Sequence, residues 1–293
     1  NAARVHACYN GCMARLRVSA ISFLNTAPLM WDFENGETAD RLRAHFEISY
    51  TIPSRCAEEL KLGLADIGII PVAAYATIPG LMIVPDVAIA SKNAVRSILL
   101  ISKVPLEKIR SVAVDASSRT SAALVEVFLR KFVGIDPGFR RQDPALDTML
   151  KWHDAGLLIG DPALLANTRG LYVYDLAEQW RQWTGRPFVF AFWAVRKAAL
   201  SGTAPELNIA RTFQDSRDHG LQHSSEIASA WASRIDLPQG TIFEYLTRNI
   251  DYGLDPENLE GLRLFYRYAE ECGALPPAPE LDFLEQPRLT AKS

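Results

Sequence analysis

Apolar and polar positions alternate along the chain in two kinds of stretch. Short apolar, often β-branched runs at residues 16–21, 46–52, 65–70, 82–90 and 95–102 read as strands. Between them lie helix-opening signals. Pro28 suits a first helical turn, with Asn25 or Thr26 as its cap. Pro53 and Ser54 open a helix over 55–62 that Gly63 stops. After Pro105 the pattern restarts with a strand at 112–114. A helix over 120–132 follows, carrying Leu124, Val127, Phe128 and Phe132 at helical spacing, and a polar loop then runs from Gly134 to Pro144. A helix over 145–153 leads to an apolar run ending at Gly160 and Asp161. Next come a strand at 171–174, a helix capped by Asp175 that stops at Gly185, and an unbroken apolar strand at 188–195. The rest is predicted helical as far as Gly273, with Leu259, Leu262, Phe265, Ala269 and Cys272 on one face. The proline-rich tail from Leu275 is expected along the surface.

This order predicts an α/β chain with two sheets and right-handed crossovers. The restarts near Val104 and Pro187 imply two passages between lobes. One lobe comprises residues 14–103 and 188–293, and the other, 104–187, is inserted into it. In such an architecture the strand-to-helix turns border a crevice where ligands bind. Four turns qualify: 22–26, 71–75, 117–121 and 160–161. Only Asp161 brings a negative charge to them.

The densest turn is Asp115-Ala-Ser-Ser-Arg-Thr-Ser121, at the start of the helix over 120–132. Unpaired N–H groups and the helix dipole favour an anion there. The hydroxyls of Ser117, Ser118, Thr120 and Ser121 add donors, and Arg119 adds a positive charge. Ser118 or Thr120 acting as an ordinary cap explains one of these groups, but the cluster holds more donors than one cap uses. A cleft so lined suits a small carboxylate.

Composition narrows the partners. The 293 residues carry 31 basic and 34 acidic side chains, a net charge of −3, which points to neither nucleic acid nor an anionic membrane. A hydrophobic content of 48% with six tryptophans describes a folded chain, and no apolar run is long enough to span a membrane. Trp180, Trp183 and Trp193 read as packing residues. Cys8, Cys12, Cys56 and Cys272 match no zinc spacing and read as reduced thiols. His219 and His223 stand four apart on one helical face, but no Glu follows His219 and Gly220 weakens the helix, so a metal pair is not expected. No metal or cofactor is expected. Residues 1–12 show no secretory pattern, and Met13 reads as a natural start, so they are left out of the predicted fold.

Several segments, taken together, carry a family likeness. They are Ser22-Phe-Leu-Asn-Thr-Ala-Pro-Leu29, Pro53-Ser with Gly63-Leu-Ala-Asp-Ile-Gly-Ile-Ile-Pro71, and the 115–121 turn. Leu158-Ile-Gly-Asp161, Tyr174-Asp-Leu-Ala with the strand 188–196, and Tyr245-Leu-Thr-Arg-Asn-Ile-Asp-Tyr252 complete the set. In this order they resemble the chorismate dehydratases of the futalosine route to menaquinone, over residues 17 to about 273. The resemblance implies a type II periplasmic-binding-protein-like fold with the ligand cleft between the lobes and a helical C-terminal region. It also implies a cytoplasmic lyase that removes water from chorismate to give 3-[(1-carboxyvinyl)oxy]benzoate, without metal or cofactor.

Asn25 and Ser97 stand where that family places pocket residues near the ring. Without the resemblance, Asn25 is as readily a helix cap and Ser97 an ordinary strand serine. Ser22, Ser118, Arg119, Thr120, Ser121, Gly160 and Asp161 complete the expected substrate site. No His, Glu or Lys falls in these motifs, and Asp161-Pro162 reads more readily as an N-cap than as a base. The substrate's own enolpyruvyl carboxylate is therefore expected to take the ring proton. Two alternatives remain. One is the 1,4-dihydroxy-6-naphthoate synthase of the same pathway, whose family typically carries a His-Glu pair where this chain has Gly160-Asp161. The other is a non-catalytic small-carboxylate binding protein.

Overall fold

The computed structural model describes residues 15–201 and 207–285. The Met13 start and the cysteines at 8 and 12 lie outside them. Among the described residues, ten strands form two five-stranded sheets. In chain order they are β1 (Leu16–Ile21), β2 (Phe46–Thr51), β3 (Ile67–Pro71), β4 (Leu81–Ser91), β5 (Ile98–Ser102), β6 (Ser111–Asp115), β7 (Gly138–Gln142), β8 (Ala155–Ile159), β9 (Tyr172–Asp175) and β10 (Phe188–Arg196). The first sheet runs β2-β1-β3-β10-β4 and the second β7-β6-β8-β5-β9. In the first, β1 is parallel to β2 and β3, and β10 runs antiparallel to β3 and β4. The second repeats the scheme, with β6 parallel to β7 and β8 and β5 antiparallel to β8 and β9. The centres of both sheets are covered on both faces. Accordingly β3 and β8 are buried at every position, and so are eight of the nine residues of β10.

Two strands differ from the sequence reading. Residues 95–102 were expected in the first lobe, whereas Ile98–Ser102 pairs with β8 and β9 in the second sheet. The change of sheet happens just before it. Arg96 has a φ of 64°, and the Asp175 carboxylate accepts the N–H groups of Val95 and Arg96 at 3.2 and 2.6 Å. An apolar run alone does not say which sheet receives it. Within the expected loop 134–144, Gly138–Gln142 is an edge strand parallel to β6. No residue of it is fully buried, so it lacks the alternation that marks a strand.

Helix boundaries follow local signals. Asp175 accepts the N–H groups of Ala177 and Glu178 and caps the helix Leu176–Thr184. The helix Thr120–Val127 passes into a π-helical turn over Phe128–Val133. Trp180 and Trp193 are buried, while Trp183 is partly exposed and stacks on Phe132 with centroids 4.5 Å apart. The tail is not loosely laid on the surface. Ile83 donates to the Asp282 carbonyl at 2.7 Å, and Leu284 donates to the Ile83 carbonyl at 2.9 Å.

One packing contact positions the site. The segment after β1 is a 3₁₀ helix, Leu24–Met30, and the helix Ile209–Gln222 lies against it. A Cβ on Gly220 would fall 1.9 Å from the Pro28 carbonyl oxygen, so only glycine permits this approach. Ser216 donates to the Leu29 carbonyl at 2.9 Å and accepts the Asp32 N–H at 3.1 Å. His219 meets the Asp32 carboxylate through Nδ1 at 2.9 Å, and His223 stacks on Trp31 at 4.3 Å. The two histidines therefore serve this junction. Among the described residues no group of three or more His, Cys, Asp and Glu converges.

Candidate active site

A cleft of about 450 Å³, open mouth included, lies between the turns of the two lobes. Its apolar lining comes from Ile21, Phe23, Ile89, Ile98, Ile159 and Phe190, and its polar lining from Asn25, Ser118, Arg119, Thr120 and Ser121. No lining residue is a carboxylate, a histidine or a lysine. An apolar slot with a few convergent donors is the usual build of a small-molecule site.

The second-lobe wall grows from the 115–121 turn. Asp115 is fully buried, and its Oδ1 accepts both the N–H and the hydroxyl of Ser117, at 2.9 and 2.7 Å. Burial pushes its carboxyl upward, an effect that the Ser117 bonds oppose. Arg141 binds the Ser118 carbonyl at 2.8 Å, drawing that acceptor away. Ser118 Oγ accepts the Ala122 N–H at 3.2 Å, so it does cap the helix while lining the cleft. The opening N–H groups of an α-helix have no intrahelical acceptor, and Thr120 and Ser121 bring that end to the cleft.

Other expected site residues are committed elsewhere. Thr120 Oγ1 donates to the Phe190 carbonyl at 3.0 Å and accepts the Ala73 N–H at 3.2 Å, pinning the second lobe to the first. The Arg119 guanidinium contacts the Ser54 carbonyl at 3.4 Å and the Glu58 carboxylate at 3.5 Å. Its charge is thus answered by the first lobe. Ser22 is exposed, bonds the Thr51 carbonyl at 3.3 Å, and borders a neighbouring groove with Tyr50, Trp231 and Arg234.

The first-lobe wall is the 3₁₀ helix carrying Asn25. Phe23 is its cap position and makes no side-chain cap bond, and Asn25 stands inside the helix as a cleft-lining group. Capping comes from across the cleft, because Asp161 Oδ1 accepts the Leu24 N–H at 3.0 Å. Asp161 does not cap its own short helix. Burial raises its carboxyl to about 6, a gain that the Leu24 bond only partly offsets. Gly160, beside it, has a φ of 60°, and a Cβ there would come within 2.6 Å of the Phe23 ring. No side chain fits at 160 while Phe23 holds its place.

Ser97 is fully buried and stands behind the lining. Its carbonyl accepts the Gly160 N–H at 2.8 Å, and its hydroxyl accepts from Tyr245 at 2.9 Å. Tyr245, Phe23 and Arg141 received no role from the sequence. Tyr245 opens a π-helical turn, Tyr245–Asn249, which apolar spacing does not mark.

Two lobes, each a mixed sheet, with their turns meeting at a ligand-sized cleft, define the periplasmic-binding-protein fold. Solved structures agree. Protein AF1704 from Archaeoglobus fulgidus aligns over 91% of this chain and all of its own, with a TM-score of 0.70 and 15% identity. The alkanesulfonate-binding protein SsuA from Xanthomonas axonopodis pv. citri, bound to MOPS, aligns over 90% of this chain and 94% of its own, with a TM-score of 0.64 and 15% identity. Within that fold the chain belongs to the menaquinone biosynthesis family, whose pattern it matches over residues 16–271. The chorismate dehydratase of Thermus thermophilus is 30% identical over 254 residues, covering 80% of this chain and 89% of that protein.

Proposed function

We propose that this chain is a chorismate dehydratase, a cytoplasmic carbon–oxygen lyase of menaquinone biosynthesis. The observation that carries the reading is a cleft with an apolar slot for a ring and neutral donors from both lobes, but no side-chain base. Ser118, Ser121 and the helix N-terminus hold one carboxylate of the substrate, while Asn25 donates from the opposite wall. Chorismate carries its own base, the enolpyruvyl carboxylate. That carboxylate takes the ring proton beside the ether, and the C–H electrons form the new ring double bond. The neighbouring C–O bond then breaks, and hydroxide leaves with a proton as water. Aromatisation supplies the driving force, so the protein's work is positioning and charge stabilisation. Ser97 and Asp161 act from behind the lining, the first through Tyr245 and Gly160, the second through Leu24.

The crowding at Gly160 speaks against the naphthoate reading, which needs a histidine there. Carboxylate binding without turnover is the alternative, and one experiment separates the two. Purified protein and chorismate, without added metal or cofactor, are followed by mass. A product lighter by one water with benzoate-type absorbance is the expected result. Unchanged chorismate with a ligand-induced rise in Tm would instead support a binding protein.

A further inference from the structure

The cleft has a neighbour. A groove of about 580 Å³, open mouth included, runs along the same first-lobe segment and is lined in part by Glu34, Tyr50, Trp231 and Arg234. Cleft and groove share two lining residues, Ile21 and Phe23. Ile21 is buried at the end of β1 and is fixed within the sheet. Phe23 is half-buried in the turn that follows. Its ring reaches the second lobe and lies over Gly160, where the space that a Cβ would need is filled by ring atoms at 2.6 to 3.0 Å.

The two spaces differ in character. The cleft is an apolar slot with neutral donors, whereas the groove is wetter and partly aromatic. Tyr50 is 47% exposed there, and the Arg234 guanidinium lies over the Trp231 ring at 5.4 Å. Glu34 is the carboxylate among the groove's lining residues, and the Tyr50 hydroxyl donates to it. An aromatic face beside a guanidinium suits a flat anion. A ligand whose first carboxylate sits on the Ser118 and Ser121 side of the cleft points its far end at the first-lobe wall, where Phe23 stands. The ring ends the cleft there, and the groove begins behind it.

We propose that Phe23 is a specificity-determining residue. With Gly160 as the surface it closes against, it sets the length of ligand that the cleft admits and keeps the groove from extending it. The wild-type cleft therefore takes single-ring dicarboxylates. Loss of the ring opens room for a second ring, with Arg234 as the charge that receives its carboxylate. The inference rests on the proposed function for the class of ligand, and on the shared wall alone for the role of Phe23.

The test uses two probes of equal charge, 3-(carboxymethoxy)benzoate and 3-[(4-carboxybenzyl)oxy]benzoate, the second longer by one ring. Their affinities for the full chain are measured by titration calorimetry in wild type, in Phe23→Ala, and in Phe23→Ala combined with Arg234→Gln. Wild type is expected to prefer the shorter probe by about tenfold or more, and Phe23→Ala to cut that preference by about tenfold or more. Adding Arg234→Gln is expected to take back about threefold of the gain for the longer probe and to leave the shorter one within about twofold. Phe23→Leu keeps an apolar side chain in the turn and is expected to show a smaller shift of the same sign. It carries the test should Phe23→Ala not fold. A preference that neither substitution changes would overturn the proposal. So would equal affinities in wild type, binding of neither probe, or a gain that Arg234→Gln leaves intact. Chorismate turnover decides the dehydratase reading separately. The probe affinities are read at equilibrium, so they decide about Phe23 even where chorismate is left unchanged.

Discussion

On the second-lobe side of the cleft, the side chains of Ser117 and Ser118 are held by near neighbours. Asp115 orders Ser117, and Ser118 caps Ala122, all within eight residues. On the first-lobe side, the segment 24–30 has almost no local support. Its cap is Asp161, and its floor is Gly220 and Ser216. The serines of one wall are ordered by consecutive letters, and the other wall is assembled from distant places. A helix N-terminus forms an anion site from a short motif, whereas a 3₁₀ helix that begins without its own cap is ordered only by the tertiary fold.

The sharpest way to break this comparison is at Gly220. Gly220→Ala drives a methyl into the Pro28 carbonyl, and both are backbone-bound, so neither can turn aside. A loss of about 3 kcal/mol or more is expected in denaturant unfolding, together with loss of turnover, although the residue is remote from the cleft lining. Thr120→Val comes next. It leaves the Ala73 N–H and the Phe190 carbonyl without their partner, at a cost of about 2 kcal/mol, and Thr120→Ser is expected to restore most of it.

Asp161 sharpens the comparison through pH. Its folded carboxyl titrates at about 6, against about 4 when unfolded. A raised acid pKa contributes stability that is complete below pH 4 and is lost as pH rises through 6. Asp161→Asn is therefore expected to gain about 1–2 kcal/mol at pH 7.5 and nothing near pH 4, the partial solvent access of the group reducing the full linkage value. A pH series of melting curves reads this directly. The same variant should keep turnover within about tenfold, and near-complete loss with intact affinity would make Asp161 the base instead. The smallest effect is expected for Ser118→Ala, about 1 kcal/mol in thermal unfolding, because only the bond to the Ala122 N–H is lost.

Much of the architecture was legible because it is written in short-range signals. Asp175 as a cap, Gly63 and Gly185 as stops, and the buried runs of β3 and β10 follow from spacing alone. The chain's change of sheet before β5 was not, because an apolar run such as Ile98–Ile101 does not itself name a lobe and the bonds at the crossing come from Asp175, far along the chain. At the site, the Ser118 cap was visible in its neighbours. The pairing of Arg119 with Glu58 was not, nor was the bond from Leu24 to Asp161, because each joins residues of different lobes. Ser97 and Ser22 carry the right chemistry in the sequence, but only the fold reveals that one stands behind the wall and the other faces a different groove.

The bonds that the tail makes to Ile83 also bear on how this molecule avoids its own kind. β4 is an outer strand of the first sheet, and its free side would otherwise present a row of unpaired backbone groups. Residues 282–284 cover the stretch at Ile83, and Asp251 and Tyr252 cover the stretch at Ala88 and Ala90. Between them, two irregular segments occupy the positions that a neighbouring molecule's strand would take. That border of the sheet is thereby closed to edge-to-edge growth into aggregates.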